Sequence, residues 1–318
     1  MFERVFKLSE HKTTVKTEVM AGITTFMTMA YILAVNPSVL GSTGMDTTAV
    51  LLATALASCL GTLCMAFMAN LPFALSAGMG LNAFMAYTVV AGYGYSWQVA
   101  LLAVFIEGLI FIVLSLTNIR EAIFNAIPLT LKKGVSVGIG LFIAFIGLQN
   151  SGLCVDSATL VGIISFPENF HTAGICALLT LIGLFFTAVF YTRKMKGAIL
   201  YGILLTWILG MICQVTGLYV PTPDAGFYSL FPSWGMTDFS KLGLTFGQCF
   251  NVDFSAVGIV NFIVVIFSFL FVDIFDTLGT LIGVATKAKM LDKDGKLPGI
   301  KPALLADSIA TSAGAILG

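Results

Sequence analysis

The sequence predicts an all-α polytopic membrane protein, on three observations. Hydrophobic residues fill 58% of the 318 positions and charged residues only 10%, against about a quarter charged in a soluble domain. The apolar residues are gathered into nine runs, each long enough to cross a hydrocarbon core about 30 Å thick. The runs fall at about 19–36, 48–69, 74–91, 98–117, 134–149, 173–190, 198–217, 257–286 and 302–318.

The third observation is the placement of the cations. With the N-terminus inside, the inner segments hold Arg4, Lys7, Lys12 and Lys16, then Arg120, Lys132 and Lys133, then Arg193, Lys194 and Lys196. The last inner segment holds Lys287, Lys289, Lys293, Lys296 and Lys301, while the outer segments hold Lys241 alone. That asymmetry follows the positive-inside rule, and one miscounted run would have scrambled it. A multi-pass protein of the plasma (inner) membrane is expected, surrounded by lipid bilayer, with a cytoplasmic N-terminus. Sixteen acidic against sixteen basic residues leave no basic excess, so no nucleic-acid partner is expected.

Residues 1–18 are charged and mixed, without an apolar core and small-residue cleavage site, so no signal peptide is read. The first run carries the polar pair Thr24 and Thr25. Taken by itself, each threonine can bond back to its own helix. The third run, LPFALSAGMGLNAFMAYTVV, places Pro72, Gly78 and Gly80 in its first half, a poor helix-forming stretch. It reads as a broken span: extended backbone to mid-membrane, then a half-helix starting near Asn82, a plausible N-cap. Non-helical backbone at that depth must face protein or a wet cavity, and such half-helix ends are where transporters bind substrate. The alternative is a Gly-rich packing face.

Glu107 lies in the middle of the fourth run, either on a proton path or in a hydrogen bond to a neighbouring helix. The fifth run opens Gly134-Val-Ser-Val-Gly138, suited to close helix contact. Segment 218–256, with Pro221, Pro223, Pro232 and Trp234, reads as an extracytoplasmic connector, re-entrant or interfacial. Six cysteines form no CxxC pair, and His11 and His171 have no metal-site pattern. No metal site or disulfide framework is indicated.

The eighth run is the expected functional centre. Its stretch FLFVDIFDTLGTLIGVATKAK carries Asp273 and Asp276. Asp276 precedes Lys287 by 11 residues, about 16 Å along a helix, which places it near the bilayer midplane. An acid there costs about 2.5–3.5 kcal/mol on the insertion scale. Asp273, one turn away, shares the face and reads as a proton relay or as a hydrogen bond between helices. Asp307 lies close to the inner end of the ninth run and reads as interfacial. The chain ends in that run at Ala315-Ile316-Leu317-Gly318, so a C-terminally truncated sequence is expected. Seven runs before the long connector is an odd number, so a second copy beginning at run eight would be inverted in the membrane.

Five segments resemble the nucleobase–cation symporters of the xanthine/uracil permease superfamily, in its adenine/guanine/hypoxanthine permease branch. They are AGITTFMTMAYILAVNP at 21–37, SAGMGLNAFMAY at 76–87, LKKGVSVGIGLFIAFIGLQNSG at 131–152, MKGAILYGIL at 195–204 and FVDIFDTLGTLIG at 271–283. The resemblance implies fourteen spans in two inverted seven-span repeats, divided into core and gate domains, of which this chain holds about the first nine. The implied divisions are 1–18 cytoplasmic, 19–133 core spans one to four, 134–217 gate spans five to seven, 218–256 connector, and 257–318 core spans eight and nine. Position by position, it implies that Asp276 hydrogen-bonds the base, with Thr280 one turn further on. Gly78, Met79 and Gly80 would meet the ligand through backbone, Asn82 just after them, and Thr24 and Thr25 would line the pocket. It also implies proton symport, with H⁺ as the coupling ion and no other cofactor, and a homodimer.

The chemistry agrees with a purine base, which is flat, neutral and edged with N–H donors. A carboxylate supplies two acceptor oxygens and half-helix amides supply donors. A proton exchanged at Asp276, Asp273 or Glu107 would couple movement of the base to the proton gradient. Two rivals were weighed. An anion transporter of the same fold is disfavoured by two acids at the site. An intramembrane Mg²⁺-dependent prenyltransferase-like enzyme using Asp273-x-x-Asp276 would need a second acidic cluster and membrane-embedded cations for phosphate, neither of which the sequence displays.

Overall fold

The computed structural model describes residues 2–11, 13–117, 119–158, 160–195, 197–223, 226–232, 235, 237–254, 257–292 and 297–318. Lys12, Lys196, Trp234, Lys293 and Lys296, counted above, lie outside the described residues. The chain divides into two compact units, Met1–Gly140 with Thr237–Gly318, and Leu141–Met236. Among the described residues, eight helices are long and apolar enough to cross a membrane, and Met79–Gly92 is a shorter apolar helix. These nine elements coincide with the nine predicted runs.

After the short α1 (Phe2–Phe6), the first run forms two helices, α2 (Val15–Met29) and α3 (Ile32–Gly41). The Thr14 hydroxyl accepts from Thr17 N–H and caps α2. α4 (Thr47–Cys64) is capped by the Asp46 carboxylate, which accepts from Thr48 N–H and Ala49 N–H at 2.9 Å each. A π-helical turn, Met65–Ala69, extends α4 and stops at Asn70, whose φ of 51° turns the chain out of the helix.

Residues 71–78 are non-helical, with Pro72 near the start of the stretch and Gly78 at its end, while Gly80 is taken into the helix that follows. The next helix, α5 (Met79–Ala83), begins three residues earlier than expected and continues as a π-helical stretch, Phe84–Gly92. Gly78 is its N-cap and Asn82 is not: Asn82 N–H already donates to Gly78 O at 3.0 Å. Gly78 takes the extended N-cap backbone conformation, so the helix needs no later start.

α6 (Trp97–Leu116) is capped by Ser96 and buries Ala100, Ala103, Glu107 and Phe111 at helical spacing. Segment 118–133, read from sequence as a connecting loop, contains α7 (Ile119–Ala126). α8 (Leu129–Asn150) follows and continues across the boundary between the two units.

The second unit includes a hairpin that the sequence reading missed, β1 (Cys154–Ser157) antiparallel to β2 (Leu160–Ile163), with Cys154 opposite Ile163. α9 (Ile175–Thr192) and α10 (Ala198–Val215) follow. They pack through two reciprocal small-residue contacts, Gly183 against Thr206 and Gly202 against Thr187. Each threonine hydroxyl donates to its own helix, Thr187 to Gly183 O and Thr206 to Gly202 O, and the same hydroxyl oxygen is the atom that lies closest to the facing glycine. Beyond α10, the Trp207 indole N–H donates to Leu230 O at 2.9 Å and the Tyr219 hydroxyl to Tyr228 O at 2.7 Å.

Back in the first unit, 3-10 turns at Phe239–Leu244 and Gln248–Phe250 lead into α11 (Ile259–Lys287) and α12 (Ile300–Leu317). The core lies among α4, 79–92, α6, α11 and α12. Phe84 meets Phe269 edge-on with ring centroids 5.1 Å apart. Gly108 of α6 lies against Ser312 of α12, and Gly61 of α4 against Ala310. These small residues let α12 come close to both neighbours, which places Asp307 in the interior.

Candidate functional site

Asp276 is brought to the broken third segment. A Cβ built on Gly78 would sit 3.0 Å from Asp276 Oδ2, so the carboxylate lies against the backbone just ahead of α5. The N–H groups of Met79, Gly80 and Leu81, in the first turn of that helix, have no intrahelical acceptor. A carboxylate acceptor and a row of amide donors therefore stand side by side.

The extended segment is held from α4 by hydroxyl groups. Thr62 Oγ1 donates to Leu75 O at 3.2 Å and accepts from Leu75 N–H at 3.1 Å. One turn earlier, Ser58 Oγ and Ser76 Oγ are 2.8 Å apart. A side chain thus satisfies both backbone groups of Leu75, as a neighbouring strand would. Sequence reading missed both residues, because serine and threonine inside an apolar helix most often bond to their own backbone.

Asn82 faces a different network. Its side-chain amide donates to Asn36 Oδ1, and Asn36 donates to Thr54 Oγ1 at 2.7 Å. Asn36, Thr54, Ser58, Ser76, Gly78, Asn82, Glu107, Asp307 and Thr311 provide the polar lining of a cavity of about 170 Å³. An apolar cavity of about 150 Å³ takes up benzene, so this one is on the scale of a single ring or a few waters. Asp276 is not part of its lining.

Thr280 is exposed, and its hydroxyl donates to Asp276 O at 2.8 Å. Thr24 is exposed and Thr25 half-buried, and they donate to Met20 O and Ala21 O, at 2.8 and 3.0 Å. All three hydroxyls are engaged by their own helices, the alternative weighed for the threonine pair. Thr25 also lines a larger cavity of about 550 Å³ with Phe26, Ser58, Thr62, Pro72 and Ser76.

Asp273 has neighbours the sequence did not reveal. Arg120, counted above as a loop cation, is 3% exposed. Its Nη2 lies 3.4 Å from Asp273 Oδ2 and 2.9 Å from Asp307 Oδ2, and its Nη1 donates to Leu304 O and Ser308 Oγ. The guanidinium also covers the Phe111 ring, 4.0 Å from its centroid. Thr277 Oγ1 is 3.3 Å from Asp273 Oδ1 and 3.1 Å from Asp307 Oδ2, so its one proton serves one of them. Two expectations are corrected. A cation is buried among the candidate spans, because α7 carries Arg120 inward, and Asp307 is engaged in an interior ion-pair cluster rather than merely interfacial. No spacing rule links residue 120 to residues 273 and 307, so sequence alone carried no signal for the cluster.

Glu107 is fully buried, and neither carboxyl oxygen has a hydrogen-bond partner within the described residues. Those residues also contain no group of three or more His, Cys, Asp or Glu placed to hold a metal ion.

The fold and the carboxylates on its long helices define a polytopic membrane protein with an internal polar site. The sequence matches the model of a permease family, Xan_ur_permease, over residues 16–318. The chain belongs to that permease family, so it is a transporter-type protein and not an enzyme, which removes the prenyltransferase-like rival. Relatives include the permease MJ0326 of Methanocaldococcus jannaschii, 46% identical over 99% of this chain and 68% of that protein. The adenine permease AdeP of Escherichia coli is 40% identical over 100% of this chain and 66% of its own length. The guanine/hypoxanthine permease PbuO of Bacillus subtilis is 43% identical over 99% of this chain and 69% of its own length. The chain thus spans about two thirds of the length of these curated relatives.

Proposed function

We propose that this protein is a secondary active transporter that imports purine nucleobases, hypoxanthine, guanine or adenine, by proton symport. The observation that carries the reading is Asp276 against Gly78 at the start of α5. An N–H group on one edge of the base, joined in guanine by the adjacent amino group, donates to the carboxylate. A ring nitrogen, or the carbonyl of hypoxanthine and guanine, accepts from the amides of Met79 and Gly80. Asn82 lies one turn into the same helix, with Thr24, Thr25 and Thr280 at the margin. The names of AdeP and PbuO support purine bases as the substrate class.

Uptake is proposed to proceed in an inverted-repeat fold of the plasma (inner) membrane with a cytoplasmic N-terminus. Spans at 19–133 and 257–318 form a core, spans at 134–217 a gate, and 218–256 an extracytoplasmic connector. The separate packing of residues 141–236 supports a core and gate division of this kind. Coupling runs through a membrane acid, Asp276, Asp273 or Glu107, that gains and loses a proton as the site changes sides.

The test is uptake of labelled hypoxanthine, guanine and adenine by cells lacking their own purine permeases and expressing the protein at full length, with unlabelled competitors. Saturable uptake that a protonophore abolishes is expected. Absence of uptake of all three bases by a protein present in the membrane would sink the reading.

A further inference from the structure

We propose that the cavity bounded by α4, α5, α6 and α12 is a site for a monovalent cation, organised by Glu107 and separate from the Asp276 contact with the base. The proposal rests on the transport reading above and settles which of its acids carries the coupling ion.

Three of the interior acids have neighbours that define them. Asp273 and Asp307 share the guanidinium of Arg120, and Thr277 lies within reach of both. Asp276 lies against Gly78. Glu107 has no N–H or hydroxyl donor: it is 0% exposed, both its oxygens lack such a partner among the described residues, and the Asp273 carboxyl within reach can bond to it only when one of the two carries a proton. A buried carboxyl without a hydrogen bond is costly, so a group in this position calls for an occupant. It lines the 170 Å³ cavity, where Ser58, Ser76, Asn82 and Thr311 supply further oxygen atoms. The charged groups facing Glu107 are Asp273 from α11, Asp307 from α12 and Arg120 from α7.

The chemistry of this lining selects the cation. Of the two carboxylates in the lining, Asp307 is already paired with Arg120, which leaves one carboxylate with hydroxyl and amide oxygens, a set suited to a single positive charge. Divalent ions draw on several carboxylates, and the described residues offer no such cluster. Two sources fit, a proton taken on the carboxyl or Na⁺ among the oxygens. Gly78 and Asn82 belong to this cavity, while Gly78 also touches Asp276. The start of α5 is therefore common to both sites, and a cation at Glu107 acts on the segment that meets the base.

The test compares wild type with Glu107→Gln, full length and reconstituted in vesicles. An inward proton gradient in choline buffer and an inward NaCl gradient at equal pH form separate arms, read as accumulation and as exchange of labelled hypoxanthine. The variant should lose about tenfold or more of accumulation in the arm that drives wild type, with a smaller loss of exchange. The driving arm identifies the cation. Wild-type accumulation in the variant, or equal loss of exchange and accumulation, would overturn the assignment. A second readout needs no substrate: the melting temperature of purified protein against pH and against NaCl in place of choline chloride. Glu107→Gln should lose part of the response that wild type shows to one of them, while an equal response in both proteins also overturns the proposal. Should wild type move no base at all, the substrate reading fails while the melting comparison still decides the cation site.

Discussion

A methyl group on Gly78 would sit 3.0 Å from Asp276 Oδ2, closer than carbon and oxygen ordinarily approach. Gly78→Ala should therefore push the carboxylate away by a few tenths of an ångström while leaving the chain able to fold, since the Gly78 φ of −76° is open to alanine. If the base bonds to Asp276, the variant loses the better part of one hydrogen bond to a charged group. That is about 1.5 kcal/mol, or roughly a tenfold rise in the hypoxanthine concentration for half-maximal uptake. Uptake by Gly78→Ala with wild-type affinity would place the base elsewhere.

Asp276→Asn is the sharper test of the same contact. Asparagine keeps the size and one acceptor oxygen, but adds an NH₂ that opposes the donor edge of a purine and it cannot take up a proton. The loss of an ionised acceptor amounts to about 1.5–3 kcal/mol, a ten- to hundred-fold loss of affinity. Asp276→Asn with wild-type accumulation of hypoxanthine would remove Asp276 from the binding site.

The helices were legible in the sequence because the bilayer demands long apolar runs, and their boundaries fell within a few residues. The break at Pro72–Gly78 was legible for the same reason: proline and glycine inside an apolar run have few other uses. Asp276 stood out as an acid near the membrane centre. What sequence could not display is long-range pairing. Arg120 looked like one more inner cation until α7 turned it toward Asp273 and Asp307. The Thr62 hydroxyl looked like a helix-satisfied group until it met Leu75. The hairpin at 154–163 is short and exposed, so no apolar alternation marked it.

Arg120→Met should be strongly destabilising. The side chains of Arg120 and Asp273 are 4% and 7% exposed, so removing the cation leaves buried negative charge uncompensated at a cost of about 3–5 kcal/mol. A large fall in melting temperature in detergent is expected, and Arg120→Lys should recover only part of it, lacking the five-donor fork. Asp273→Asn, which weakens the pairing with Arg120, should lower stability in the same assay. In the double variant Arg120→Met, Asp273→Asn the losses should be less than additive. Strict additivity would mean that the two side chains do not interact.

Asp46 gives a pH dependence whose sign can be worked out. The Ala49 N–H above all, with Lys241 and the Thr48 N–H adding, holds its carboxyl below the usual carboxylate range. A folded-state value below the unfolded one contributes stability that is complete above the unfolded value, about 3.9. It is lost as pH falls through the lower folded value. The first turn of α4 should therefore show lower amide protection factors, each measured against the intrinsic exchange rate at the same pH, in acid than at neutral pH. Asp46→Asn should flatten that dependence, and an unchanged acid response in this variant would rule out Asp46 as its source.

Thr62→Val tests whether α4 sets the register of the binding segment. Valine keeps the shape of threonine but removes both bonds to Leu75, each worth about 1 kcal/mol, and leaves that backbone N–H and carbonyl without partners. Among the described hydrogen bonds from α4 to the segment from Leu75 to Gly78, the Ser58–Ser76 hydroxyl pair would then remain, and Gly78 would be less firmly placed against Asp276. Apparent affinity for hypoxanthine should fall several-fold, with a smaller change in maximal rate. Thr62→Ser restores the hydroxyl and loses only the methyl group, so it should recover affinity. If Thr62→Ser is as impaired as Thr62→Val, the methyl contact matters and the hydroxyl does not. The hydrogen-bonded anchoring of this segment would then be the wrong account of why it lies where it does.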